Sequence, residues 1–240
     1  MLKVDDRGKG NTLTYPENAI LDNVQIIFDG DNNSVVIAHS CLNNVALTVL
    51  GSGNRFEFDE DCCVCNFMVS VKTGDLPSRA VNDSVLHIGR AVQLSEGAAT
   101  LGADDTSIEI HHATTIVNAK FFAVEVGTGI VVGERCLFSW NIELRTSDWH
   151  SVLDVKTGQR INPARSVVIQ PHSWIGSDVR ILKGVTVGEN SIVGVGAIVT
   201  KDVPPNCAVA GNPARVIRKG VSWSHDAETT RPVAALLQGD

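Results

Sequence analysis

Residues 167–203 read V-V-I-Q-P-H-S-W-I-G-S-D-V-R-I-L-K-G-V-T-V-G-E-N-S-I-V-G-V-G-A-I-V-T-K-D-V. Steps of six from Ile169 land on Ile175, Ile181, Val187, Val193 and Val199, all aliphatic, and the next residue is glycine at 176, 188 and 194. A period of six fits neither a helix nor a plain strand. It fits short strands joined by tight corners, with one aliphatic side chain per strand turned inward. Glycine after that aliphatic relieves the crowding a side chain would cause at the corner. The pattern is that of a parallel β-helix, a solenoid in which each coil buries its inner face against the next.

Upstream, the same register passes through Val126-Gly127, Val132-Gly133, Phe138-Ser139 and Leu144-Arg145, and one more step lands on His150. There it breaks, because Leu144 and Ile169 are 25 residues apart, not a multiple of six. Residues 145–166 therefore read as a loop protruding from the solenoid. The regular coils run over 126–205, closed by Pro204-Pro205. Residues 206–240 form a C-terminal tail, with a short helix over Asp226–Leu237. Residues 21–125 read as irregular coils of the same solenoid: Val35, Phe56, Val85 and Ile108 begin apolar runs at spacings of 21, 29 and 23. The polar residues 1–20 read as an arm or cap.

Bulk properties narrow the function. The chain has 240 residues and a net charge of −7, which argues against nucleic acid as a partner. The start lacks the apolar run of a signal peptide, and no stretch reaches membrane-spanning length. The reading is a cytoplasmic protein whose six cysteines are reduced thiols. Cys62, Cys63 and Cys65 lack Cys-x-x-Cys spacing and a neighbouring histidine, so they read as thiols stacked in the core rather than a metal or redox site.

His150 is the leading chemical candidate. It stands where the repeat opens into a loop, and loops on rigid scaffolds carry function. Imidazole suits a general base near neutral pH. Asp148 is placed to orient it. His172 reads as a corner filler, and His87, His111 and His112 as structural. Trp174 precedes an inward aliphatic, so alternation turns it outward. An outward indole needs a partner: a neighbouring subunit, a substrate or a cofactor. Arg215, Arg218 and Lys219, with Lys201, form a basic cluster suited to phosphates on an acidic protein.

Residues 126–220 resemble the hexapeptide-repeat acyltransferases. The strings Lys201-Asp202-Val203-Pro204-Pro205 and Gly211-Asn212-Pro213-Ala214-Arg215 carry the resemblance family-wide. Ser147-Asp148-Trp149-His150-Ser151, Thr157-Gly158 and Ile161-Asn162-Pro163-Ala164 are similar to bacterial polysaccharide O-acetyltransferases, including those acting on capsular sialic acid. The resemblance implies a left-handed triangular β-helix that forms a homotrimer, with active sites between subunits. It implies transfer of an acetyl group from acetyl-CoA to a hydroxyl of a carbohydrate acceptor. In the family, a loop histidine some two dozen residues before a Trp-Ile-Gly hexad deprotonates the acceptor; His150 precedes Trp174 by 24. Trp174 would stand beside the thioester. Gly194, Ala197, Thr200 and Lys201 would follow the pantetheine arm, with Arg215 and Lys219 on the phosphates. Trp149, Lys156 and Arg160 of the loop would meet the acceptor. No metal is implied: the zinc enzymes of this fold carry a His-x4-His pair that this chain lacks. Two other classes stay open, an acyltransferase with an amino-sugar or other small acceptor and a non-enzymatic scaffold.

Overall fold

The computed structural model describes residues 1–73 and 79–226. Among these residues every regular element is a strand. The strands stack in parallel as a β-helix of about nine turns. The expected helix over Asp226–Leu237 lies, apart from Asp226, outside the described residues.

In the later coils each turn has three short strands, one per face. The first face stacks Leu137–Phe138, Trp174–Ile175 and Ile192–Val193. The second stacks Ile142–Arg145, Arg180–Ile181 and Ile198–Val199. The third stacks Gly129–Val132, Val167–Ile169 and Thr186–Val187. All six aliphatics of the deciding stretch are buried in the core. The glycines that follow them have a different reason from the one expected. The left-handed backbone falls instead at Asp178, Gly184, Asn190 and Gly196, with φ of 60°, 73°, 57° and 72°. A Cβ on Gly176 would stand 2.9 Å from Val193 O, and one on Gly188 would stand 2.5 Å from Pro205 N. These glycines let the next coil pass close by; they do not turn their own.

The earlier coils use long strands: Ile20–Asp29, Cys41–Leu50, Cys63–Val71, Gln93–Leu101 and Thr115–Ala123. Each occupies what later becomes two faces. Thr115–Ile116 pair with Leu137–Phe138, while Ala119–Phe122 of the same strand pair with Ile142–Arg145. The fold at mid-strand is one residue in the left-handed region, Asn23, Asn44 and Asn66 in the first three, with φ of 50°, 55° and 47°. Asparagine tolerates this conformation better than most residues. Its side chain also links coils: Asn23 Nδ2 donates to Asn44 Oδ1, and Asn44 Nδ2 to Asn66 Oδ1, each at 2.8 Å. The inserted residue shifts the two-residue alternation by one, so Leu42 and Val45 both point inward.

Four expectations are corrected or refined here. The inward column is Val35, Phe56, Leu86, Ile108 and Ile130, so the residue facing in at the third position is Leu86, not Val85. Val126 is 71% exposed, and the inward series of the regular coils starts at Ile130 and Val132. Residues 1–20, expected as an arm or cap, form the first coil at the end of the stack, since Leu2–Asp6 pair with Val24–Phe28 and Thr12–Thr14 with Ser34–Val36. Pro204-Pro205 do not end the stack, because Cys207–Ala210 continue the first face beside Ile192–Val193 before Arg215–Lys219 turn back antiparallel. The thiol cluster is also divided. Cys62 is buried, its thiol pushed up to about 12 by desolvation. Cys41, Cys63 and Cys65 sit half-buried on the outer side, with Cys63 Sγ 3.9 Å from Cys65 Sγ.

Candidate active site

The chain leaves the solenoid after Ile142–Arg145 and re-enters at Val167, which pairs with Ile130. The excursion is a hairpin closed by an antiparallel bridge between Leu153 and Arg160 and by Ile161 N–H donating to Val152 O at 2.9 Å. His150 is exposed at its base. It lines a cleft of about 450 Å³ together with Trp149, Ser147, Glu125, Arg79 and Thr73. Trp149 holds a left-handed backbone, φ 67°, and meets the Phe122 ring edge-on at 5.9 Å.

Two polar networks fix this base. In the first, Glu125 accepts both terminal guanidinium nitrogens of Arg160 at 2.6 Å, and Ser147 Oγ–H at 2.5 Å. Ser147 Oγ in turn accepts the Trp149 N–H at 3.0 Å. The Arg160 hydrogen bonds, then Ser147, hold the Glu125 carboxyl down at about 2. In the second, Lys183 Nζ donates to Asp148 Oδ2 at 2.5 Å and to Asn162 O at 2.9 Å. Asn162 Nδ2 bridges Asp148 Oδ2 and His150 O, each at 2.8 Å. Lys183 is the main cause holding the Asp148 carboxyl below the usual range. Asp148 therefore engages Lys183 and Asn162, not the imidazole it was expected to orient. Arg160, expected at the acceptor, spends its donors on Glu125 and Asn162. Lys156 is exposed on the turn of the hairpin, away from the cleft lining.

Trp174 lies on the first face, turned outward and 37% exposed. It has an intrachain neighbour: the Trp223 ring lies 6.1 Å away. Trp223, 6% exposed, stacks on His172 at 4.6 Å and donates its indole N–H to His172 O at 2.8 Å. His172 is a corner residue with φ 53°, buried, its Nδ1 2.9 Å from Asn190 Oδ1. Desolvation first of all pushes its imidazole down. His150 follows the second face, and Trp174 is not among the residues lining its cleft.

Among the expected donor-binding residues, Lys201 and Arg215 share a cleft of about 230 Å³ with Asp202 and Ala214. Arg215 and Lys219 stand at opposite ends of their strand, opposite Ala210 and Cys207. Thr200 is exposed beside Lys201. Gly194 packs close to the final coil, where a Cβ would meet Ala210 Cβ at 3.2 Å. Ala197 is 0% exposed, and its methyl faces the core. Only its backbone is left to meet a donor arm, as the expectation that small residues let the arm approach the backbone requires. No group of three metal-ligating side chains occurs among the described residues.

Residues 166–201 match the family described as bacterial transferase hexapeptide (six repeats). The polysialic acid O-acetyltransferase of Neisseria meningitidis is 30% identical over 156 residues, 65% of this chain and 68% of that protein. The chain belongs to the hexapeptide-repeat O-acetyltransferases. A second member, the polysialic acid O-acetyltransferase of Escherichia coli O1:K1, is 36% identical over 110 residues, 46% of this chain but only 36% of its own length. The chain thus spans about a third of one curated relative and about two thirds of the other. The crystal structure of the polySia-specific acetyltransferase NeuO superposes with a TM-score of 0.66 at 27% identity, covering 96% of this chain and 92% of that one. The fold of this family member is the left-handed β-helix.

Four residues of the site escaped the sequence reading: Glu125, Lys183, Arg79 and Trp223. Glu125 stands 22 positions before Ser147, one coil away, and nothing local marks it. Lys183 sits inside a hexad, where it reads as a solvated surface residue. Trp223 carried the one available signal, an isolated large aromatic beyond the repeats, which needs a place to bury.

Proposed function

We propose that this chain transfers an acetyl group from acetyl-CoA to a hydroxyl of a carbohydrate polymer, with His150 as general base. The observation that carries the proposal is His150 itself. It stands exposed at the register break, at the wall of a cleft large enough for a sugar unit. The two polysialic acid O-acetyltransferases among its relatives favour an acidic polysaccharide as acceptor; a capsular polymer and a cytoplasmic setting belong to the same proposal.

In this reading His150 takes the hydroxyl proton as the sugar oxygen attacks the thioester carbonyl. The C–S bond then breaks, and the imidazolium returns the proton to the departing sulfur. Products are the O-acetyl ester and free coenzyme A. Holding the two substrates together supplies much of the rate. An indole N–H from Trp174 or a backbone N–H would steady the oxyanion. Gly194 and Thr200 lie along the donor arm, and Lys201, Arg215 and Lys219 serve its phosphates. Trp174 does not line the His150 cleft, which supports a working site between copies, in a homotrimer that sets the loop of one against the first face of the next.

The test is acetyl-CoA consumption against a panel of sialic acid polymers, neutral polysaccharides, sugar nucleotides and amino sugars. Alkali-labile acetylation of a polymer supports the proposal. Alkali-stable product on an amino sugar, or no turnover with any acceptor, overturns it. Sedimentation at assay concentration checks the trimer, and a fully active monomer refutes it.

A further inference from the structure

Glu125 is a corner residue, its backbone φ of 77° left-handed like that of Asp105 and Asn141 in neighbouring coils. Its carboxylate is saturated: two charge-assisted bonds come from Arg160 and one from Ser147, with a further backbone donor at Ala164. These partners come from both ends of the excursion. Ser147 lies on the outgoing strand and Arg160 and Ala164 on the returning one, while Glu125 itself belongs to the coil below.

The consequence reaches His150 by a short path. Ser147 is buried and locked by Glu125, and its oxygen holds the N–H of Trp149, the residue next to the base. From the other side, Arg160 also donates to Asn162 Oδ1 at 3.2 Å and to Asn162 O at 3.1 Å. Asn162 Nδ2 in turn donates to His150 O. A bidentate guanidinium–carboxylate pair fixes direction as well as distance. These two routes into the His150 backbone begin at one carboxylate, while Lys183 and Asp148 hold Asn162 independently of it.

We infer that Glu125 is a positioning residue for His150, clamping both ends of the excursion so that the imidazole stands at a fixed place in the cleft. The inference rests on His150 being the base. It reassigns Arg160 from acceptor binding to the clamp. Glu125 need not touch either substrate to matter, because a displacement of about 1 Å at a reacting group costs on the order of 10²-fold in rate.

The test uses the full chain with Glu125→Gln, Arg160→Gln and the double variant. Three quantities are read: steady-state kinetics, trypsin nicking after Lys156, a site that all the variants keep, and carbethoxylation of His150 by diethyl pyrocarbonate, followed by mass spectrometry. Glu125→Gln is expected to lower kcat by about 10²-fold. The KM for acetyl-CoA should stay within about twofold and the melting temperature within a few degrees, because the phosphate-side residues lie elsewhere. Nicking should accelerate, and His150 should change its rate of modification. The double variant should lose no more than the worse single one, since the two side chains act through each other. Wild-type kcat in Glu125→Gln overturns the inference. So does a loss of kcat matched by equal losses in acetyl-CoA affinity and melting temperature, which would make the clamp merely structural. If the wild type transfers acetyl to no polymer, the proposed function falls, but nicking and modification still decide the clamp. Rates unchanged by Glu125→Gln refute it.

Discussion

The coils before residue 125 and those after 130 build the same prism in two ways. In the early coils two faces share one long strand, and in the first three of these the corner between the faces is a single asparagine in left-handed conformation. In the late coils each face has its own strand of two to four residues, and a run of several residues makes each corner. The early coils tie their corners with side-chain amides stacked from turn to turn, Asn23 to Asn44 to Asn66 outside and Asn33 to Asn54 in the interior. Glycines that let neighbouring backbones approach serve both halves: a Cβ on Gly30 would stand 2.1 Å from Gly51 O, and one on Gly188 2.5 Å from Pro205 N. The hexad is thus a property of the corner, not of the prism: shortening one corner erases the six-residue period while leaving the inward column intact. The candidate site falls at the seam. Glu125 belongs to the last early coil, and the excursion bearing His150 leaves the first late one.

The severest way to break the comparison is to place a charge inside each half. Leu86→Asp and Ile181→Asp each bury an unpaired carboxylate in the core, at a cost of several kcal/mol. Both should melt well below wild type in calorimetry. If Ile181→Asp alone destabilises, the early coils are not packed as described. A solenoid holds together through nearest-neighbour contacts, so the damage should be greatest in adjacent coils, as hydrogen exchange will show.

Next in size is the contrast between two histidines one hexad-like step apart in role. His150→Ala should lose about 10²- to 10⁴-fold in kcat, the usual range for a positioned base. His172→Ala should instead lower the melting temperature, because it empties a buried corner stacked on Trp223 and leaves Asn190 with one partner fewer. Reversed sensitivities in folded protein would move the base to the wrong face.

A smaller effect is expected at the far end. Lys201→Ala with Arg215→Ala should raise the KM for acetyl-CoA several-fold with kcat nearly unchanged, since phosphates keep their charge through the reaction. The difference should shrink as salt is added. A change confined to the acceptor KM would assign that cleft to the acceptor.

The gentlest probes sharpen the corners and the clamp. Asn44→Gly keeps the left-handed backbone but loses the amide ladder, whereas Asn44→Ala loses the ladder and strains the backbone. Alanine should cost about 1 kcal/mol more than glycine by chemical denaturation. Equal costs would show that the ladder, not the conformation, sets the corner. For the clamp, the Glu125 carboxyl is depressed to about 2 in the fold. A depressed carboxyl contributes stability that is complete above its unfolded value of about 4.3 and is lost as pH falls toward the folded one. Trypsin-independent probes such as hydrogen exchange at residues 147–164 should therefore be flat from neutral pH to about 4.5, after correction for intrinsic rates, and then rise. A rise beginning near neutrality would refute that assignment.

Sequence alone determined the architecture and singled out the candidate base. Six aliphatics at a period of six specify an inward column, since each depends only on neighbours within its own strand and corner. The break of that period announced the excursion and His150. The early coils were legible only as a rough repeat, with Val85 read where Leu86 points in, because a one-residue corner shifts the alternation and leaves no six-residue mark. What lies above what was decided by tertiary structure alone. Glu125 meets Ser147 across 22 residues and Arg160 across 35, Lys183 meets Asp148 across 35, and Trp223 reaches His172 across 51. Stacking in a solenoid depends on the summed lengths of every corner and excursion between two residues, and no local pattern carries that sum. For the same reason no local pattern shows that the Ala197 methyl lies in the core or that Arg160 meets Glu125.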